Sequence, residues 1–298
     1  MLNGWLIIDK PVGPTSTQVV GAVKRALREG GYPKVKVGHG GTLDPLASGV
    51  LPIALGEATK LSGRMLDADK VYEFTIAFGT ETDTLDLEGE VVATSANIPD
   101  WGAIEDVLVD FIGEIEQVPP TYSALKIDGQ RAYDLARAGT PPAMKPRKVT
   151  IHDIRYLLEG LDDGVRWAKL EARVSKGTYI RSLARDIARA LGSVGHVAML
   201  RRTKAGPFTL EQAISLDKLA ESAKRRTLEQ CLLPLTAGLD DIPALPVSPD
   251  QAGALRQGRV LIGIAAQPGL YLATDNHVPV ALVELGENEL RVLRGFNL

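Results

Sequence analysis

Apolar and polar positions change period several times along the chain, and each change marks an element. Residues 4–9, GWLIID, are almost all apolar and stop at Lys10-Pro11, the pattern of a buried strand. Hydroxyls at residues 15–17 then precede Val19, Val20, Val23, Ala26 and Leu27 at helical spacing, and Gly30-Gly31 closes that helix. Residues 34–37 predict a short strand, residues 51–55 are again apolar, and VYEFTIAF at 71–78 alternates like a half-buried strand. The acidic stretch TETDTLDLEGE reads as a surface turn. Pro99-Asp100 opens a helix with Ile104, Val107, Leu108 and Phe111 inward, and residues 131–138 form another before Gly139. TPPAMKP, 140–146, is a stiff connector.

Two long strands follow at 148–158 and 166–174, then a helix over 179–191. It places Ile180, Leu183, Ala184, Ile187 and Leu191 in a core and sets Arg181, Arg185 and Arg189, four apart, in a row on another face. After a short strand at 196–200 the chain breaks into helices to about residue 236. Residues 239–250 are proline-rich and read as a linker, and 251–298, with GLYLAT and VALVEL, as a small β-rich domain. The intermixed elements predict the α+β class, with a mixed, largely antiparallel sheet in a domain spanning 1–238.

Composition narrows the classes. Of 298 residues 45% are hydrophobic and 24% charged, as in soluble globular proteins, and no run approaches the roughly 18 apolar residues needed to cross a bilayer. The first residues lack the order of a signal peptide, so a cytoplasmic protein with no membrane partner is expected. Cys231, the single cysteine, excludes an intrachain disulfide and is expected to be a buried, inert thiol. The net charge of −3 conceals a segregation. From Arg173 to Lys204 eight Lys or Arg stand against Asp186 alone, whereas from Asp67 to Glu90 eight acids stand against Lys70. That split predicts one anion-binding face.

Several chemistries lack their residues. The four histidines, His39, His152, His196 and His277, have no zinc-helix spacing, the glycines at 38, 40 and 41 fit neither a P-loop nor a dinucleotide loop, and no G-x-S-x-G occurs. What remains is Asp44 in VGHGGTLDPLASGVL, flanked by glycines that let another molecule approach the backbone. Asp before Pro is also an ordinary turn former. A fixed, unpaired carboxylate suits a covalent or base role. Glycoside hydrolysis normally uses two carboxylates, but a base such as uracil leaves with its own delocalised charge and needs less help.

Five blocks, LIIDKPVGPTS, GHGGTLDPLASGVLPIALGEATK, KVYEFTIAFGTETDTLDLEGE, PPTYSALKIDGQRAYDLAR and SKGTYIRSLARDI, resemble in order those of the bacterial TruB family of tRNA pseudouridine synthases. The resemblance implies the pseudouridine synthase fold, with a small PUA-like RNA-binding domain at 251–298. It also implies isomerisation of one uridine in the T arm of tRNA, at position 55, by a monomer needing no cofactor, metal or guide RNA. It places the essential aspartate at Asp44, which attacks the sugar, adds to the base or removes a sugar proton. His39 matches the histidine that replaces the flipped base in the RNA stack, and Tyr72 the tyrosine that stacks on it. Arg181 matches the partner of the aspartate, and Tyr179 and Leu200 line the uracil pocket. Lys10 and Lys126 match motif lysines near RNA, and the basic window adds Arg185 and Arg202 as RNA contacts. Three rivals stay open: a nucleoside or glycoside hydrolase using Asp44, a non-catalytic RNA-binding protein of the same fold, and a guide-RNA-dependent relative, against which the slightly acidic composition speaks.

Overall fold

A computed structural model describes residues 2–123, 125–127 and 129–298, with the side chain of Lys126 outside the described residues. The chain runs β1 (Gly4–Lys10), α1 (Ser16–Glu29), β2 (Val37–His39), β3 (Ala47–Leu55), α2 (Ser62–Asp67) and β4 (Lys70–Phe78). Then come β5 (Thr80–Thr82), β6 (Val91–Thr94), α3 (Trp101–Leu108), β7 (Gly113–Gln117), β8 (Lys126–Ile127), β9 (Gln130–Arg131) and α4 (Ala132–Arg137). β10 (Arg147–Asp162), β11 (Val165–Val174), α5 (Ile180–Ala190), β12 (Gly195–Ala205), β13 (Phe208–Thr209) and α6 (Leu216–Lys224) complete the larger part. β14 (Ala244–Pro246), α7 (Pro249–Arg256), β15 (Leu261–Ile262), β16 (Gly269–Asp275), β17 (Val278–Leu285) and β18 (Glu289–Gly295) form the rest.

The main sheet has the order β1-β3-β12-β4-β11-β10-β7, with β2 added on β3 and β13 on β12. Every neighbour is antiparallel except β12 on β3, so the fold is α+β with a mixed, largely antiparallel sheet. The nearly unbroken apolar run of β1 has a simple cause: both of its faces are buried. Leu6 and Ile8 enter a core with Val19, Val23, Phe74, Leu170 and Leu183, while Trp5 and Ile7 enter a second with Val50, Ala54 and Phe208. Leu272, Leu282 and Phe296 of the C-terminal sheet belong to that second core. Lys60 Nζ donates to Gly295 O at 2.8 Å, and Asn297 N donates to Glu57 at 2.8 Å, so the two sheets meet across packed and hydrogen-bonded ground.

α1 starts where the hydroxyls indicated: Thr15 caps it in a reciprocal box with Gln18, and Gly30 ends it. Other expectations need correction. The short strand expected at 34–37 forms at Val37–His39, because β3 offers its register to those residues. The stretch 239–250 is not free linker: Ala244–Pro246 pairs parallel with β16, and α7 begins at Pro249. Cys231 is partly rather than fully buried. The acidic surface turn is instead a β5–β6 hairpin region in which Glu81 and Asp86 are buried.

Part of the charge segregation is paired off within the fold. Asp67 pairs with Lys176, Asp69 with Arg173, Glu81 with Arg189 and Asp86 with Arg181, each within 3.2 Å. The acidic and basic windows lie on adjoining strands and α5, so four of the eight acids meet four of the eight basic residues, two of these pairs exposed and two with a buried acid.

Candidate active site

The loop 40–46 between β2 and β3 carries Asp44, and the backbone carbonyls around that residue are held from outside. Ser16 Oγ of α1 donates to Leu43 O at 3.1 Å and accepts from Leu43 N at 2.8 Å. Lys10 Nζ donates to Pro11 O, Pro45 O and Ala47 O at 2.9, 3.3 and 2.6 Å. Arg202 of β12 donates from Nε to Val50 O at 2.7 Å and from Nη2 to Gly41 O at 3.1 Å. Buried carbonyls require donors, and here the donors fix the loop. Gly49 allows β3 to reach Arg202: at φ +103° its backbone lies where a Cβ would stand 2.1 Å from Arg202 O.

One expected RNA contact, Lys10, is therefore corrected, and the other, Arg202, is moved from the outer surface to the inside of the site. Lys10 is fully buried, and Arg202 is 1% exposed. Both brace the Asp44 loop by donating to carbonyls, and Arg202 also reaches Tyr72 OH with Nη1, at 3.5 Å, in the wall of a cavity that Asp44 lines. Burial pushes the Lys10 ammonium down to about 8, against the pull of Asp44.

Asp44 itself stays accessible, with its side chain 37% exposed, and Oδ2 lies 2.9 Å from Arg181 Nη2. Arg181, 6% exposed, stands on the first turn of α5. Its Nη1 reaches Asp86 Oδ2 at 3.2 Å, and it donates to Thr84 O at 2.8 Å and Tyr122 O at 2.9 Å. One guanidinium thus joins two carboxylates, one accessible and one buried. A planar fork with five donors serves both carboxylates and two carbonyls at once; an ammonium, with three hydrogens, falls short of these four acceptors.

Asp44 lines two cavities. The first, about 320 Å³, also has Tyr72, Lys70, Tyr179, Leu200 and Arg202 in its walls. That volume suits a small planar ring with part of its sugar. Tyr72 OH lies 3.5 Å from Arg202 Nη1 and its ring centroid 6.0 Å from that guanidinium. Burial above all, with the charge of Asp44 adding to it, pushes the Tyr179 hydroxyl above the ordinary phenol range, so it remains protonated. The second cavity, about 420 Å³, is lined by Asp44, His39, Thr84, Tyr122, Tyr133 and Arg137. His39 lies below its ordinary range through burial and then Arg202, and its Nδ1 accepts from Gly41 N at 3.4 Å. A neutral imidazole suits packing against a base.

Asp44, His39, Tyr72, Tyr179, Arg181 and Leu200 are thus gathered around one carboxylate. Arg185 is not: it is tied to Asp186 at 2.8 Å and Val118 O at 3.0 Å, on a different cavity with Glu81 and Arg189. The side chain of Lys126 lies outside the described residues. Sequence reasoning missed Asp86 and Lys70. Both stand in the family-like stretch 70–90, but nothing local distinguishes the one acid of TETDTLDLEGE that folds inward against Arg181. Among the described residues no group of three His, Cys, Asp or Glu side chains is placed to hold a metal ion.

Residues 26–180 match the TruB family pseudouridylate synthase N-terminal domain, and residues 181–240 the tRNA pseudouridylate synthase B C-terminal domain. The chain is 63% identical to tRNA pseudouridine synthase B of Novosphingobium aromaticivorans, covering 100% of this chain and 98% of that one. It is 62% identical to the protein of that name from Zymomonas mobilis, covering 99% and 96%. Among solved structures, a chain of a Cbf5–Nop10–Gar1 complex superposes with TM-score 0.74 at 28% identity, covering 98% of this chain and 84% of that one. An accessible carboxylate braced on an arginine, the two family matches and near-full-length identity above 60% lead to one conclusion: the chain belongs to the TruB family of pseudouridylate synthases.

Proposed function

We propose that this protein converts uridine to pseudouridine at position 55 in the T arm of tRNA, as a cytoplasmic monomer without guide RNA or cofactor. The relatives named tRNA pseudouridine synthase B support tRNA as substrate. The observation that carries the reading is the Asp44 carboxylate, aimed by Arg181 yet open where two cavities meet.

A uridine inside a folded arm is stacked, so the enzyme must extrude it at a cost of roughly a few kcal/mol. In the proposed complex the flipped base enters the cavity of Tyr72, Tyr179 and Leu200, and His39, across Asp44, packs where the base had been. Asp44 then acts at the sugar or the base. The C1′–N1 bond breaks with its electron pair on the uracil, the ring turns while bound, and C5 bonds to C1′. The C5 proton is lost and N1 gains one, so the reaction is a net isomerisation. Residues 1–238 carry this chemistry, and 251–298 serve as the small RNA-binding domain.

The test is to incubate the protein with an unmodified tRNA transcript, with no guide RNA or added metal, and map pseudouridine by carbodiimide block and primer extension. One T-arm site, lost in Asp44→Ala with RNA binding retained, is the expected result. Free uracil as product would make it a hydrolase, and unchanged behaviour of Asp44→Ala would leave only RNA binding.

A further inference from the structure

Lys70 is a buried cation for which the proposed steps have no use. It opens β4, is 7% exposed, and shares the lining of the 320 Å³ cavity with Asp44. Its Nζ donates to Leu66 O and Ala68 O, both at 2.6 Å, at the C-terminal end of α2. An ammonium has three hydrogens. Lys10, the other buried ammonium of the site, has three carbonyl acceptors; Lys70 has two, and one N–H is left over on a side chain that forms the cavity wall.

The surrounding charges do not neutralise it. Asp67 and Asp69, the acids nearest in chain, are engaged with Lys176 and with Arg173 and His152. Arg202 is close by across Gly41, where a Cβ would lie 3.5 Å from Arg202 Nη1 and 4.0 Å from Lys70 Cε. Two cations thus share one wall of a cavity whose only lining carboxylate among the described residues, Asp44, is paired with Arg181.

We infer that the Lys70 ammonium, with Arg202 beside it, stabilises the negative charge that develops on the uracil ring when its bond to C1′ breaks. The inference rests on the proposed isomerisation. In each role open to Asp44 the electron pair of the C1′–N1 bond, or of the attacking carboxylate, ends on the base and spreads over its ring nitrogens and carbonyl oxygens. The ground-state uridine is neutral, so a cation fixed in a buried wall favours the charged state over the substrate. Burial first, then Arg202 and more weakly Lys176, bring Lys70 down to about 8 against the pull of Asp67 and Asp69, so the charge is present at pH 7 and lost above about 8.

The test compares wild type, Lys70→Met and Lys70→Arg in single-turnover reactions on a tRNA transcript from pH 6.5 to 9.5, with melting and RNA affinity measured alongside. Lys70→Met is expected to lower the rate constant at pH 7 on the order of 10²-fold, with RNA affinity within about threefold. Wild type should lose rate above about pH 8, Lys70→Met should show no such limb, and Lys70→Arg should keep much of the rate without the limb. A transcript carrying 5-fluorouridine, whose base leaves more easily as an anion, should show a smaller Lys70→Met deficit in the first bond cleavage. If Lys70→Met weakens RNA binding in a salt-dependent way while the rate constant is unchanged, the ammonium meets a phosphate and the inference falls. An equal deficit for both bases would make Lys70 purely structural. Should Lys70→Met fail to fold, a wild-type rate that stays flat through pH 8 to 9.5 overturns the inference just as well. Absence of product from wild type would instead sink the proposed activity itself.

Discussion

Replacing Arg181 by lysine tests whether aiming Asp44 depends on the shape of its partner or only on its charge. The guanidinium reaches Asp44 at 2.9 Å, Asp86 at 3.2 Å, Thr84 O at 2.8 Å and Tyr122 O at 2.9 Å. A lysine ammonium is a compact point donor with three hydrogens and cannot serve all four of these acceptors in place of the fork. Removing one partner of a buried ion pair costs roughly 3–5 kcal/mol; where the charge stays and about half of the hydrogen bonds break, about 2 kcal/mol is expected. That lowers Tm by roughly 4–8 °C. The larger effect is on chemistry, since a carboxylate displaced by about 1 Å loses on the order of 10² in rate. Because Arg181 is almost wholly buried, the salt dependence of RNA binding should be unchanged. Release of tritium from a transcript labelled at uridine C5, with melting curves and binding at several salt concentrations, reads all three quantities. A variant that melts lower but keeps its rate within about threefold would refute the idea that this pair aims Asp44. A salt slope reduced by about one would mean that Arg181 touches a phosphate.

His39 is held below its ordinary range by burial, so as pH falls below about 6.5 the unfolded chain gains this proton first and stability drops; in His39→Phe that part of the acid loss should vanish from melting curves, while RNA affinity at pH 7 stays within about threefold. Lys10 has the same sign at higher pH. Between about 8 and 10.5 the unfolded lysine keeps a proton that the folded one has lost, so wild type should gain stability relative to Lys10→Met across that window. Gly49→Ala places a Cβ 2.1 Å from Arg202 O at φ +103°, and should lower Tm by roughly 6 °C or more and reduce activity with it, as read by calorimetry and C5 tritium release.

Much of this was legible locally. The capping hydroxyl of α1, the double-faced apolar run of β1 and the helical repeat of α5 are decided by residues close in sequence, and the elements formed within a few residues of expectation. Asp44 stood out because its glycines, its proline and the resemblance of the surrounding blocks all lie in one loop. The charge windows did not reveal their internal partners because a run of like charge says nothing of what faces it: Arg181 meets Asp86 and Arg189 meets Glu81 only after α5 packs beside the β5 hairpin.

The sequence by itself determined most of the elements, the class and the choice of Asp44 as the candidate carboxylate, since periodicity, caps and a motif loop are short-range properties. Only the tertiary structure decided which charges do what. Strand β12 inserts between β3 and β4, taking Arg202 out of solvent to brace the Asp44 loop, and β4 brings Lys70 to the cavity wall. The physical reason is that a charge's role is set by its desolvation and its nearest partner, and both are fixed by residues far away along the chain.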